Sequence, residues 1–292
     1  MPRPTPVPLI VVTGIHAASM AAVTVGLQWD LPRAVVVRHH IDPESATITR
    51  TVSDAGGVLE DEAIGLDHVC LTCALRQDIL PTIERLARGR WESIVVHLPL
   101  AAEAGHLCRM IAADPRWHRL VRVAAVVAAL RGGSLTGDLL GGARLAEIGT
   151  AMVPDDDRGV GEVLARQVEY ADAVICVDGA DQTARELLTT LARPGAGIHT
   201  EVFGPSGAEL LTSRHDTARS EAWTATVRRG PLPPQIGRRV WRLDLSSDRP
   251  LHPERFMAEI EAIGSGRHRS RGCFWLASAP TRSAPGRAAV AT

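Results

Sequence analysis

No apolar run in this 292-residue sequence approaches the ~20 residues that span a bilayer, so a membrane helix is not expected. The opening residues, MPRPTPVPLIVVTG, lack the charged and apolar layout of a secretory leader. Excess charge is missing as well: 32 Lys+Arg stand against 33 Asp+Glu, a net charge of −1. That balance gives no basis for bulk adhesion to DNA or to an anionic membrane. Five cysteines, an odd and scattered set (Cys70, Cys73, Cys108, Cys176, Cys273), do not make a disulfide framework. A reducing, cytoplasmic setting is expected. What the chain does have is apolar content, 45% of its residues, enough to bury a large core.

The apolar residues come in two rhythms. Short unbroken runs at 7–14, 33–40, 91–100, 121–130 and 171–179 read as buried parallel strands. The alternating stretch 46–53 reads as a more exposed strand. Between the runs lie helical spacings, such as Leu75, Ile79, Ile83 and Leu86. Strand and helix in alternation predict an α/β fold with a mainly parallel sheet and helices on both faces. This first domain is expected over 1–215, with a linker at 216–237 that includes the Pro-rich RRGPLPPQIG. A small α+β unit is expected at 238–279: a strand at 239–246, a helix with Pro253 near its first position, and a strand near 267–278. The last stretch, 280–292, is low in large apolar residues and is expected to be disordered.

Two cysteines three apart, Cys70 and Cys73, open the helical stretch in LDHVCLTCALRQDIL. Three readings are open: a metal clip, a redox pair, or two packed small side chains. Tetrahedral zinc takes four ligands, mostly S or N. His68 is two residues before Cys70, and His39 with His40 ends the second predicted strand. A Cys₂His or Cys₂His₂ site would follow if these histidines converge. Cys108, Cys176 and Cys273 sit in apolar contexts and read as core thiols. In RHRSRG, alternation sets Arg267, Arg269 and Arg271 on one strand face, a candidate contact for phosphate or RNA backbone.

The order of these pieces resembles the CobW family of P-loop GTPases and metallochaperones. VCLTCALRQDIL stands where that family carries its Gly-Cys-x-Cys-Cys motif, and HPERFMAEIEAIGSGRHRSRGCFW resembles the start of its C-terminal domain. The resemblance implies a P-loop NTPase-like first domain, a CobW-like second domain that is shortened here, zinc as the metal, and a metal client or protein partner. It also implies an alternative seen in some members with an altered phosphate loop, recruitment to the ribosome under zinc limitation. The departures are chemical. A working phosphate loop reads G-x-x-x-x-G-K-[ST], its Lys reaching phosphate oxygens and its hydroxyl holding Mg²⁺. Here the run from Gly14 is GIHAASMA, with Ser19, Met20 and Ala21 in the last three places. In the stretch that matches the guanine-reading motif, Asp181 is kept but Gly179 replaces Lys. GTP–Mg²⁺ turnover is therefore not expected, and no catalytic residue is assigned. In the cysteine motif, Thr72 replaces the middle thiol, a poor ligand for a soft site.

Overall fold

The computed structural model describes residues 5–153, 155–200, 204–228, 237–264, 266–277 and 283–290. Its strands, in chain order, are β1 (Val7–Thr13), β2 (Ala34–Asp42), β3 (Thr47–Asp54), β4 (Gly57–Gly65), β5 (Ser93–His97), β6 (Val121–Leu130), β7 (Ala173–Cys176), β8 (Gly197–His199), β9 (His268–Trp275) and β10 (Ser283–Val290). The first eight make one sheet in the order β4-β3-β2-β5-β1-β6-β7-β8. From β2 to β8 the neighbours are parallel; β3 and β4 extend that sheet as an antiparallel ribbon.

The unbroken apolar runs are explained by layers on both faces. Side chains alternate across a strand. Leu9 and Val11 of β1 enter one core layer with Val35, Val37, Ile94 and Val96, while Ile10 and Val12 enter the other with Val36, Val95 and Val127. The helical run from Leu71 to Ala87 and helix Ala104–Ala113 cover the first face. Helices Ala17–Asp30 and Gly207–Thr212 cover the second. A third layer joins helices Val160–Tyr170 and Gln182–Leu191 to β6 and β7. This is the α/β class with a mainly parallel sheet that the strand–helix alternation predicts. Its central strand, β1, delivers Gly14 to a loop that runs straight into a helix. Among the described residues no helix is long and apolar enough to cross a membrane.

Four regions differ from expectation. β4 is not foreseen by the sequence pattern, because its acidic run hides the strand rhythm; β3 supplies its ladder, and Gly57, at φ +132°, makes the tight turn between them. Residues 239–246 alternate as a strand should, yet lie in no strand. The expected tail forms β10, which takes its backbone partners from β9 and needs no large side chains to do so. Part of the expected linker is helix Thr217–Thr224, capped by Asp216 and buried at Ser220 and Thr224 against its surroundings. Residues 229–236 of that linker, and 280–282 and 291–292 of the tail, lie outside the described residues.

Candidate functional site

The loop from β4 into the Leu71–Ala87 helical run brings His68, Cys70 and Cys73 together, with one ligand atom from each within 4.8 Å of the others. Cys70 caps the helical run: its Sγ accepts the Cys73 backbone N–H at 3.3 Å. Burial pushes the Cys70 thiol up, but the Cys73 N–H and His68 outweigh it and leave it below the ordinary thiol range. Its hydrogen bond to Cys70 raises Cys73. Of the two thiols, Cys70 is therefore the readier to lose its proton. His68 is exposed and both cysteines are half-buried, so the cluster opens to solvent. Around tetrahedral zinc, S and N ligands stand about 3.5–3.8 Å apart. The set fits zinc with a contraction of roughly 1 Å. Thr72, in the place of the missing thiol, is exposed and adds no ligand.

A structural frame that sequence reading missed holds this loop. The helical run contains a π turn, Leu75–Ile79, which carries Gln77 and Asp78. Gln77 donates from Nε2 to Asp67 Oδ2 and accepts the Asp67 N–H at 3.3 Å, stapling the residue beside His68 to the helix. Asp78 turns inward. Its carboxylate takes His39 Nε2 at 2.9 Å and Arg50 Nη1, and Arg50 continues to Glu62 at 2.6 Å. Such turns interrupt a helix's residue count and re-aim side chains; periodicity in sequence does not show them.

His39 is thus a correction: it is not brought to the cysteines. Burial lowers its pKa against the pull of Asp78, so the neutral ring donates from Nε2 to that carboxylate. It serves the joint between β2 and the π turn. Cys108 and Cys176 are core thiols, pushed by burial to about 12 and about 11. Cys273 is exposed, against expectation.

The Gly14–Ala21 stretch is closely packed. Met20 is fully buried, and its side chain lies over Gly14: a Cβ there would stand 2.8 Å from Met20 Cγ and 2.7 Å from the Ala129 carbonyl oxygen. Ser19 is buried beside it. Gly14 O accepts the Ala101 N–H at 2.9 Å and Gln167 Nε2 at 3.3 Å. The sequence contains no lysine and no asparagine. Ala21, half-buried on the helix, offers only a methyl group. Asp181 caps helix Gln182–Leu191, accepting the Ala184 N–H at 2.7 Å. His97, the last residue of β5, shares a hydrogen bond with Thr24 at 2.9 Å; burial, then Arg38 and His39, push it down to about 4, so it is neutral.

The basic strand is a second correction. Arg271 and Arg269 of β9, with Arg228, converge on Glu169, a buried residue of helix Val160–Tyr170. Arg271 also donates to the Trp223 carbonyl at 2.8 Å, and Arg228 stacks over the Trp223 ring at 3.8 Å. Burial and then Arg271 push Arg228 down to about 10. Only Arg267 of the three remains exposed, so the expected three-arginine phosphate face is not formed. Arg269 and Arg271 do share a face, but it turns inward to a carboxylate about a hundred residues away.

A scan against models of known protein families finds no match. A protein named Zinc chaperone Rv0106, from Mycobacterium tuberculosis, is 30% identical over 265 residues, covering 84% of this chain and 62% of its own length. An uncharacterized protein of Mycobacterium bovis matches with the same figures. The chain thus spans under two thirds of the length of these relatives. Among solved structures, Zn(II)-bound YjiA GTPase from E. coli is similar at 18% identity and a TM-score of 0.40, over 70% of this chain and 61% of that one. A Zn(II)-bound triple mutant of the same GTPase is similar at 16% identity and a TM-score of 0.43, over 98% and 87%.

Proposed function

We propose that this chain is a CobW-like protein that binds one zinc ion at His68, Cys70 and Cys73 and passes or reports it to a protein client, without turning over GTP. The observation that carries the proposal is the convergence of three soft or borderline ligand atoms within 4.8 Å on a solvent-facing loop. Three protein ligands leave a fourth position open. A client's thiolate or imidazole can enter there before the ion leaves, so exchange needs no naked zinc. The name of the mycobacterial relative, a zinc chaperone, supports the same metal.

The domain that would act as a GTP-driven motor in the family is here a scaffold. The buried Met20 and the absence of lysine support that reading. Removing one fixed charge-stabilising group typically lowers a rate by about 10²-fold or more; this loop lacks both its cation and its Mg²⁺ hydroxyl. The role is accordingly a metal-responsive binding or adaptor protein. The experiment is a competition titration with zinc, wild type beside Cys70→Ser/Cys73→Ser, run with and without GTP–Mg²⁺. One tight equivalent, lost in the double variant and indifferent to GTP, is expected. No binding by wild type, or affinity that moves with GTP, would overturn the proposal.

A further inference from the structure

Charge does not balance where β9 meets helix Val160–Tyr170. Glu169 Oε1 stands 3.4 Å from Arg228 Nη2 and 3.5 Å from Arg269 Nε, and its Oε2 takes Arg271 Nη2. Three cations less one carboxylate leave two positive charges in excess. Among the described residues no second carboxylate comes within ion-pair distance of the three; Glu162 of the same helix pulls on Arg269 from further off. Arg228 and Arg269 are both held below the ordinary arginine range, first by burial, with Arg271 pushing the same way and Glu169 pulling back. Charge without a counter-ion in a partly desolvated place is costly.

Hydrogen-bond donors are in surplus as well. The Trp223 carbonyl takes Arg228 Nε at 2.6 Å and Arg271 Nη1 at 2.8 Å, and Arg228 is held over the Trp223 ring at 3.8 Å. Among the described residues, the Nη groups of Arg228 and the whole Arg269 guanidinium have no polar contact shorter than those to Glu169 Oε1, which are long for hydrogen bonds. No nitrogen of the three arginines is sealed in without a partner, so their free N–H groups reach solvent. Each side chain keeps 16–18% of its surface exposed.

We propose that Arg228 and Arg269, backed by Arg271, bind a dianionic phosphate group, either inorganic phosphate or the terminal phosphate of a monoester. Guanidinium forks match phosphate oxygens in pairs. A phosphate monoester carries about −1.5 to −2 at pH 7, which balances the excess; a carboxylate or a backbone phosphodiester, with one charge, leaves half of it. A bound anion would tie β9 to the helix Val160–Tyr170. The inference is independent of the zinc site.

Isothermal titration of the full chain with inorganic phosphate, against sodium chloride of equal ionic strength, tests this. One saturable equivalent is expected. Arg228→Gln and Arg269→Gln should each weaken it about tenfold or more, the loss of a charge-assisted contact. Arg267→Gln, exposed on the same stretch, should leave it unchanged. Phenyl phosphate separates the two sources: equal affinity points to a monoester, and a tenfold loss to free phosphate. An oligoribonucleotide with a 5′-hydroxyl end, which has diester phosphates alone, should not compete. Glu169→Gln provides a second readout: its melting temperature should fall, and phosphate should restore more of it than it adds to wild type. Zinc titration and circular dichroism verify folding of each variant. A wild type without saturable binding, a response that chloride matches, or arginine variants that bind as wild type does would overturn the proposal. Competition by the oligoribonucleotide would overturn it in favour of a nucleic-acid backbone.

Discussion

Two stretches of this protein leave the same sheet, one after its central strand β1 and one after its edge strand β4, and they are packed in opposite ways. Around Gly14, Met20 is fully buried among apolar side chains. In the His68–Cys73 stretch the three candidate ligand atoms are grouped, half-exposed and backed by hydrogen bonds. One is ordinary core; the other keeps polar atoms clustered in a place that packing alone would not choose, with a frame that holds them.

Substitutions in either loop put this contrast at risk. The strongest effect is expected at the thiols: with Cys70→Ser/Cys73→Ser, two of three ligands are gone and zinc binding should vanish while the melting temperature of the metal-free protein is kept. A melt that falls with the double variant would make the pair packing residues. At the other loop, Met20→Ala should cost about 2–5 kcal/mol in chemical denaturation, the range for a fully buried Met, and leave zinc affinity unchanged. A nearly neutral result would mean that the loop is open after all.

Acid separates the two loops further. His97 bonds Thr24 of the helix that follows Gly14, and its folded pKa of about 4 lies below the ordinary 6.5. A histidine buried neutral stabilises the fold above its unfolded pKa, and that stabilisation is lost as pH falls. The window is therefore pH 6.5 down to about 4, with up to about 3 kcal/mol at stake. His97→Gln should flatten the stability profile across that window; an unchanged slope would assign the loss to other groups. The weakest effect is expected from Gln77→Ala, which frees Asp67 and the loop beside His68. Zinc affinity should drop about 10–100-fold, the usual cost of losing an outer support, with Gln77→Glu no substitute because it cannot donate to a carboxylate. Equal affinity in Gln77→Ala would show that the frame is incidental.

The strand–helix alternation, and with it the α/β class, is legible in the sequence because both faces of the sheet are covered and burial is written as unbroken apolar runs. β4 and β10 are not, since their pairing is supplied by a neighbouring strand rather than by their own side chains. The reverse holds for 239–246, whose alternation is clear and which belongs to none of the strands described. At the site, the Cys70–Cys73 spacing and the nearness of His68 can be read directly, being local. His39 cannot be placed from sequence, because its fate depends on a π turn that points Asp78 inward. Arg269 and Arg271 fall on one strand face as alternation predicts, but only the tertiary fold shows that Glu169 meets them.

Whether zinc sits between His68, Cys70 and Cys73 is decided by X-ray absorption at the zinc edge of the metal-loaded protein. Two sulfurs at about 2.3 Å and at least one imidazole nitrogen at about 2.0–2.1 Å are expected, with the imidazole signal lost in His68→Ala. A coordination sphere without sulfur, or one that His68→Ala leaves unchanged, would rule out this assignment of the site.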